Sequence, residues 1–107
     1  MSRRELDRLR DIAAACTAIG GYIDRSDADE EIVFDAIRAR LMEIGEAVKD
    51  LDPAMTSTEP SIPWSEIARM RDHLAHRYFD TTHAIVTATA RNDIPELARA
   101  VQRLLGD

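Results

Sequence analysis

The residues of this chain whose types could do chemistry are concentrated between residues 62 and 80, a stretch that the sequence predicts to be one helix. It contains two of the 3 histidines, the only tryptophan and one of the 2 tyrosines. The rest of the sequence is rich in Leu, Ile and Ala and poor in aromatic residues, a composition that favours a helical scaffold. We therefore look for the functional site on this helix.

Arg71, Asp72, His76 and Tyr78 are the candidate site residues on the helix. At about 100° per residue, Arg71 and Tyr78 lie within roughly 20° of each other, whereas His76 points about 140° away from Arg71. Asp72 and His76 are four residues apart, so this carboxylate can orient the imidazole or raise its pKa. Arg71 and His76 can converge through the long arginine side chain, a distorted turn, or a second copy across a dimer axis.

The elements that must position these residues are helices, because apolar residues recur at spacings of three and four along the chain. We expect an all-α up-down bundle of four or five helices in a single domain covering residues 1–107. So small a bundle buries a modest fraction of its surface, which favours a homodimer. The predicted helices cover residues 3–22, 28–51 and 63–79, a short segment around 85–88, and a last segment that restarts at Asn92 and Asp93; residues 52–61 are predicted to form a surface loop.

Two details of the second predicted helix bear on its geometry. Ser26 or Asp27 can cap its start, since both side chains accept hydrogen bonds from free backbone N–H groups. Gly45 lies inside the helix next to the apolar Ile44, and it costs roughly 1 kcal/mol relative to alanine. A glycine in such a position often allows a neighbouring backbone to approach closely.

Composition limits the classes of function. The formal net charge of −6 does not attract nucleic acid or anionic membrane as a whole, so an RNA partner needs a local basic patch. Lys49 is the only lysine among the 14 basic residues, and arginine can bind phosphate bidentately. Cys16 is the only cysteine, which excludes an intramolecular disulfide and predicts a buried apolar filler. No apolar run of transmembrane length is present, and we expect a cytoplasmic protein.

The spacing of Arg71, His76 and Tyr78 resembles the signature of HEPN-domain ribonucleases, in which four residues separate the arginine from the histidine. Three further segments resemble the HepT-type toxin branch of that family, and the likeness extends from about Ile32 to the C-terminus. These segments are Ile62-Pro63-Trp64, Ile44-Gly45-Glu46-Ala47 and Pro95-Glu96-Leu97.

The resemblance implies a HEPN-like homodimer that acts as a metal-independent endoribonuclease and needs no cofactor. Such a protein is the toxin of a type VII-like toxin–antitoxin pair, whose antitoxin is a minimal nucleotidyltransferase that adds AMP to the motif tyrosine. Mapped onto this sequence, Arg71 and His76 are catalytic, Asp72 is supporting, and Tyr78 is both supporting and the AMPylation site. The implied substrate is RNA, with tRNA as a candidate.

The implied mechanism is chemically consistent with these residue types. An imidazole with a pKa near ~6.5 can take the proton from a ribose 2′-hydroxyl at neutral pH. The hydroxyl then attacks the adjacent phosphate, and a guanidinium stabilises the charge on the phosphate oxygens. An AMP group on Tyr78, on the face of Arg71, would place a competing phosphate at the substrate position.

One departure and three alternatives stay open. The branch often has asparagine and an apolar residue after the arginine, where this chain has Asp72 and His73, and the charge of Asp72 could neutralise Arg71. The first alternative is a non-catalytic dimeric module that binds a nucleotidyltransferase or a nucleotide. The second is a plain structural bundle. The third is a zinc or iron site, suggested by four residues that step by three, four and three: His73, His76, Asp80 and His83.

Overall fold

The computed structural model describes residues 1–25, 27, 29–76 and 83–106, without the side chains of residues 76 and 83–85. Every regular element in this part of the chain is helical, which confirms the predicted all-α class. The elements are α1 (Arg3–Ile23), α2 (Glu30–Lys49), α3 (Pro53–Thr56), α4 (Trp64–His76), α5 (His83–Ala88), a π-helical turn (Thr89–Asp93) and α6 (Ile94–Leu105).

A capping box starts α1, a feature that the sequence interpretation missed. The Ser2 hydroxyl accepts a hydrogen bond from the Glu5 backbone at 3.1 Å, and the Glu5 carboxylate accepts one from the Ser2 backbone at 3.2 Å. These bonds satisfy two donors that a helix start otherwise leaves unpaired. The second oxygen of Glu5 accepts from the backbone of Asp52 at 3.2 Å, so the same side chain also attaches α1 to the start of α3.

The start of α2 differs from the prediction. Asp29, not Ser26 or Asp27, is the N-cap, and its Oδ1 accepts from the backbone of Glu31 at 2.9 Å and of Ile32 at 3.3 Å. Asp27 instead forms an ion pair with Arg25 at 3.4 Å, and Ser26 lies outside the described residues. The helix therefore begins two residues later than predicted, because Asp29 is the acidic side chain directly before its first turn.

The predicted loop of residues 52–61 was wrong in part, because it contains the short helix α3. Asp52 caps this helix by accepting from the backbone of Ala54 at 2.9 Å, and Pro53 occupies its first turn. An Asp-Pro pair can break one helix and also begin the next, because proline has no N–H that the first turn needs. As a consequence α2 ends at Lys49 rather than at residue 51.

The C-terminal third is more continuous than predicted. A short helix around residues 85–88 is confirmed as α5, but Asn92 and Asp93 do not restart the chain. They lie in the π-helical turn, which leads directly into α6 with Pro95 in its first turn. Gly106 ends α6 with a φ of 86°, a left-handed conformation that glycine adopts without a steric penalty.

The hydrophobic core lies where α2 packs against α1 on one side and α4 on the other, with α6 against α1. Cys16 is buried in this core, as predicted. None of the described helices combines the length and the hydropathy that a membrane span requires. The largest fully buried side chains are Leu9, Ile12, Ile19, Leu41, Ile44, Val86, Leu97 and Val101.

Candidate functional site

The backbones of α2 and α4 approach each other closely at Gly45. A Cβ atom at this position would lie 2.7 Å from the Cβ of Arg71 and 2.9 Å from the carbonyl oxygen of Ile67. Any larger residue would therefore push the two helices apart. The close approach that the sequence predicted for Gly45 is confirmed, and its location explains how Arg71 comes to lie directly beside α2.

A second contact holds the far end of α4 against α2. Arg38 of α2 donates a hydrogen bond from Nη2 to the carbonyl oxygen of Leu74 at 2.9 Å. Carbonyls in the last turn of a helix have no partner within the helix, so a side chain that reaches them fixes the helix end. The Leu74 side chain is buried, whereas its neighbours Asp72 and His73 are exposed. The position of α4 is therefore determined by contacts near both Arg71 and His76.

Arg71 is half-buried, with 36% of its side chain exposed, and its guanidinium lies between two carboxylates. Its Nε is 3.1 Å from Oε2 of Glu46, and its Nη1 donates to Oδ1 of Asp72 at 3.3 Å. Neither of these two contacts involves Nη2. Arg71 is thus held at the surface by contacts to its Nε and Nη1.

Asp72 contacts α2 as well as its own helix. Its Oδ1 accepts a hydrogen bond from Lys49 Nζ at 3.1 Å, and the same nitrogen is 4.0 Å from Oε2 of Glu46. The bond from Lys49 is the main reason that the pKa of Asp72 is lowered; burial opposes this effect and Arg71 adds to it. We call Glu46, Lys49, Arg71 and Asp72 the charge cluster. It contains two positive and two negative side chains at the contact between α2 and α4.

The structure brings only part of the predicted site together. Arg71 and Asp72 are in contact, as their adjacency requires, and both face α2. His76 is the last residue of α4, but its side chain is not described, and Tyr78 lies outside the described residues. The orientation of His76 by Asp72 stays a prediction.

Sequence reasoning missed the contribution of two α2 residues to this site. Glu46 belongs to the segment that carried the family resemblance, so its contact with Arg71 could have been anticipated. Two features of the sequence pointed to Lys49: it is the only lysine, and it lies one helical turn after Gly45. Neither signal specifies Asp72 as its partner.

Most of the side chains that the metal-site alternative requires lie outside the described part of the chain. His73 is exposed on α4, but Asp80 and the side chains of His76 and His83 are not described. Among the side chains that are, no group of three His, Cys, Asp or Glu residues is arranged to hold a metal ion. The alternative therefore stays a prediction without a test.

A groove of about 420 Å³ between α1 and α2 borders the charge cluster through Glu46. Its two arginines are already paired: Arg8 lies 2.8 Å from Asp11, and Arg40 lies 3.0 Å from Glu43. Four carboxylate-bearing residues, Asp11 among them, and only two arginines line the groove, so its net charge is negative. The charge of this groove is therefore unfavourable for a phosphate.

The fold and the site define a small all-α bundle with an arginine in a surface charge cluster beside a close helix contact. The chain belongs to the HepT-like family, described as Ribonuclease HepT-like, which matches residues 5–104.

Individual relatives agree with this family. The chain is 37% identical to "Probable ribonuclease HepT" of Thermococcus cleftensis over 97% of this chain and 98% of that protein. It is 40% identical to a "Putative RNase" of Caldanaerobacter subterraneus over 71% of this chain and 72% of the relative. A protein of Methanocaldococcus jannaschii, also named "Putative RNase", is 34% identical over 100% of this chain and 97% of its own length. No solved structure matches the chain.

Proposed function

We propose that this chain is a metal-independent endoribonuclease in which Arg71 binds the scissile phosphate and His76 moves the proton. The observation that carries the proposal is the placement of Arg71, half-exposed and fixed against α2, in a chain of the HepT-like ribonuclease family. A guanidinium that is already oriented stabilises the extra charge on a phosphate without reorganising during the reaction.

The chemistry uses only the RNA and side chains of the protein. His76 takes the proton of the 2′-hydroxyl, the 2′-oxygen forms a bond to phosphorus, and the bond from phosphorus to the 5′-oxygen breaks. The products are a 2′,3′-cyclic phosphate and a 5′-hydroxyl, whose oxygen takes up the proton that His76 removed. Because DNA has no 2′-hydroxyl, it is not a substrate.

Asp72 is the proposed orienting group for His76. Its two hydrogen bonds from Lys49 and Arg71 both end on Oδ1, so Oδ2 can accept from an imidazole four residues further along the helix. A carboxylate in this position favours the tautomer with a basic nitrogen on the far side of the ring.

We further propose that the chain is the toxin of a toxin–antitoxin pair and that a nucleotidyltransferase antitoxin silences it by adding AMP to Tyr78. On one continuous helix Tyr78 would lie within roughly 20° of Arg71. The phosphate of the AMP would then compete with RNA for the guanidinium, and its charge would repel the RNA backbone. The proposed assembly is a cytoplasmic homodimer with its two α4 helices facing one cleft.

A second candidate function is a non-catalytic module that binds a nucleotidyltransferase partner or a nucleotide. The observation in its favour is that Arg71 contacts two carboxylates, Glu46 and Asp72, which compete with a phosphate for the guanidinium. Under this alternative the charge cluster is an element of an interface rather than of an active site.

RNA cleavage in the presence of a chelator distinguishes the endoribonuclease from the non-catalytic binding module. Protein produced without its partner is incubated with total tRNA beside Arg71→Ala and His76→Ala, and fragment ends are read by mass spectrometry. Arg99→Ala, an exposed arginine of α6, is the matched control. We expect cyclic-phosphate ends with the wild type and the control and none with the other two variants. A folded, unmodified dimer that leaves tRNA intact would support the binding module instead.

Modification is tested separately. After incubation with the cognate nucleotidyltransferase and ATP, the intact mass of the wild type should increase by whole AMP units, and Tyr78→Phe should not change. An unmodified wild type, or a modified Tyr78→Phe variant, would contradict the assignment of Tyr78.

A further inference from the structure

Two carboxylates of the charge cluster lie beside Arg71 and oppose its binding of a phosphate. The carboxylate of Asp72 directly follows Arg71 and lies 3.3 Å from its Nη1, where it reduces the attraction between the guanidinium and an incoming phosphate. A second carboxylate, Glu46, lies 3.1 Å from Nε. With two negative neighbours and no other cation, Arg71 would be a poor anion binder.

Lys49 supplies that other cation, and it reaches Asp72 from the neighbouring helix. The distance from Lys49 Nζ to Oδ1 of Asp72, 3.1 Å, is shorter than the distance from Arg71 Nη1 to the same atom. Lys49 is the only lysine of the chain. The close contact at Gly45, one turn earlier on α2, fixes the distance between the helices and so places the lysine within reach of Asp72.

We propose that Lys49 is a positioning residue for the phosphate site: it holds Asp72 against α2 and balances its charge, so that Arg71 stays able to bind a phosphodiester. This inference rests on the proposed ribonuclease function and deepens it, because it explains how the site works with aspartate at position 72. Lys49 itself does not contact the RNA.

The proposal assigns a separate task to each member of the cluster. Glu46 fixes the Nε edge of Arg71, and Lys49 competes with Arg71 for Oδ1 of Asp72. When a phosphate arrives, Nη1 can leave Asp72 without exposing an unbalanced carboxylate to the RNA, because the bond from Lys49 remains. Without Lys49, Arg71 is the one cation left in the charge cluster to balance two carboxylates and the phosphate.

A double-mutant cycle tests this coupling through RNA cleavage. Lys49→Met removes the charge and keeps much of the aliphatic stem; we expect KM for RNA to increase roughly 10-fold, with a smaller effect on kcat. In a background of Asp72→Asn the same substitution should change KM less than about 2-fold, because no carboxylate is left to balance. Lys49→Arg should retain near wild-type KM.

The matched control is Arg4→Met, which breaks the 3.2 Å ion pair between Arg4 and Asp50, the residue that follows Lys49. We expect no change in KM from this variant. If Lys49→Met increases KM by the same factor in the wild type and in the Asp72→Asn background, Lys49 acts independently of Asp72, for example by contacting RNA, and the inference is overturned.

An NMR titration separates failure of the inference from failure of the proposed function. The pKa of the Asp72 carboxyl should be higher in Lys49→Met than in the wild type and unchanged in Arg4→Met. If the wild type cleaves no RNA and this pKa increases, the coupling stands and the ribonuclease proposal falls. If RNA is cleaved but the pKa does not move, the inference falls alone. A Lys49→Met variant that does not fold is replaced by Lys49→Gln in both measurements.

Discussion

At the scale of single residues, the geometry of Arg71 requires arginine rather than any cation. One planar group contacts Glu46 through Nε and Asp72 through Nη1, and the proposed function requires that it also bind a phosphate. Lysine has a single ammonium group, which cannot serve both carboxylates and a phosphate in fixed directions.

We therefore predict that Arg71→Lys lowers kcat/KM for RNA by roughly 100-fold, although the charge is conserved. The free energy of unfolding should change little, since the arginine is at the surface. Cleavage kinetics and urea denaturation measure the two quantities, with Arg99→Lys as the control. Near wild-type cleavage by Arg71→Lys would show that the site needs only a positive charge.

At the scale of elements, Gly45 determines the distance between α2 and α4. We predict that Gly45→Ala costs about 1–3 kcal/mol through overpacking against the backbone of Ile67, which exceeds the helix-propensity gain of about 1 kcal/mol. Cleavage should fall further than this loss of stability explains, because Arg71 is displaced with α4.

Gly21 of α1 is the matched control, since a Cβ there meets nothing within 4 Å. Gly21→Ala should stabilise the protein by up to about 1 kcal/mol and leave cleavage unchanged. Urea denaturation and cleavage of both variants check the prediction. If Gly45→Ala keeps full activity, the close helix contact does not position Arg71.

The start of α4 depends on Glu59, whose carboxylate accepts a forked pair of bonds from Arg103 of α6, with Nη2 at 2.7 Å. The backbone carbonyl of Glu59 also accepts from the indole of Trp64 at 3.1 Å. The bonds from Arg103 lower the pKa of Glu59, and burial partly opposes them. This residue therefore connects α6 to the first turn of α4.

The lowered pKa of Glu59 determines how its contribution to stability depends on pH. A carboxyl with a lowered pKa in the folded state adds stability above its ordinary pKa, 4.5, and loses it as the pH falls through the folded value. We predict that the wild type loses more stability than Glu59→Gln on acidification from about pH 5 to 3. Asp35→Asn, an exposed position on α2, should follow the wild type. Parallel curves for the wild type and Glu59→Gln in urea denaturation would contradict the prediction.

The sequence predicted the helices better than their ends. Spacing of apolar residues identifies α1, α2, α4 and α6 because burial repeats along each of them. The cap of α2 was misplaced because Ser26, Asp27 and Asp29 all have capping side chains, and local sequence does not choose among them. The π-helical turn at residues 89–93 was missed because an extra residue in a helical turn depends on packing, not on a local signal.

The same distinction applies to the site. Gly45 was predictable as a point of close approach, since an unfavourable residue inside an apolar helix needs a packing reason. The pairing of Lys49 with Asp72 was not, because it depends on the rotation of α2 relative to α4. Contacts across a helix pair are a property of tertiary structure, which a single sequence does not specify.

At the scale of the whole molecule, RNA binding has to overcome the repulsion from a net charge of −6. The cluster is neutral overall, so the protein cannot attract RNA by long-range charge and must bind it by local contacts. A dimer that brings two copies of α4 to one cleft would double the number of arginines near the RNA. It would also bring together Arg71 and His76, which ideal helical spacing predicts to point about 140° apart on one helix.

We predict that each active site combines Arg71 of one subunit with His76 of the other. Mixing Arg71→Ala with His76→Ala, after brief unfolding and refolding together, should then restore about a quarter of the wild-type activity, because half of the dimers are mixed and each contains one intact site. The control mixes each variant with itself and should stay inactive. If the two residues converge within one subunit, every site in a mixed dimer lacks one of them and no activity returns. Cleavage of total tRNA, with the oligomeric state measured by light scattering, gives the answer.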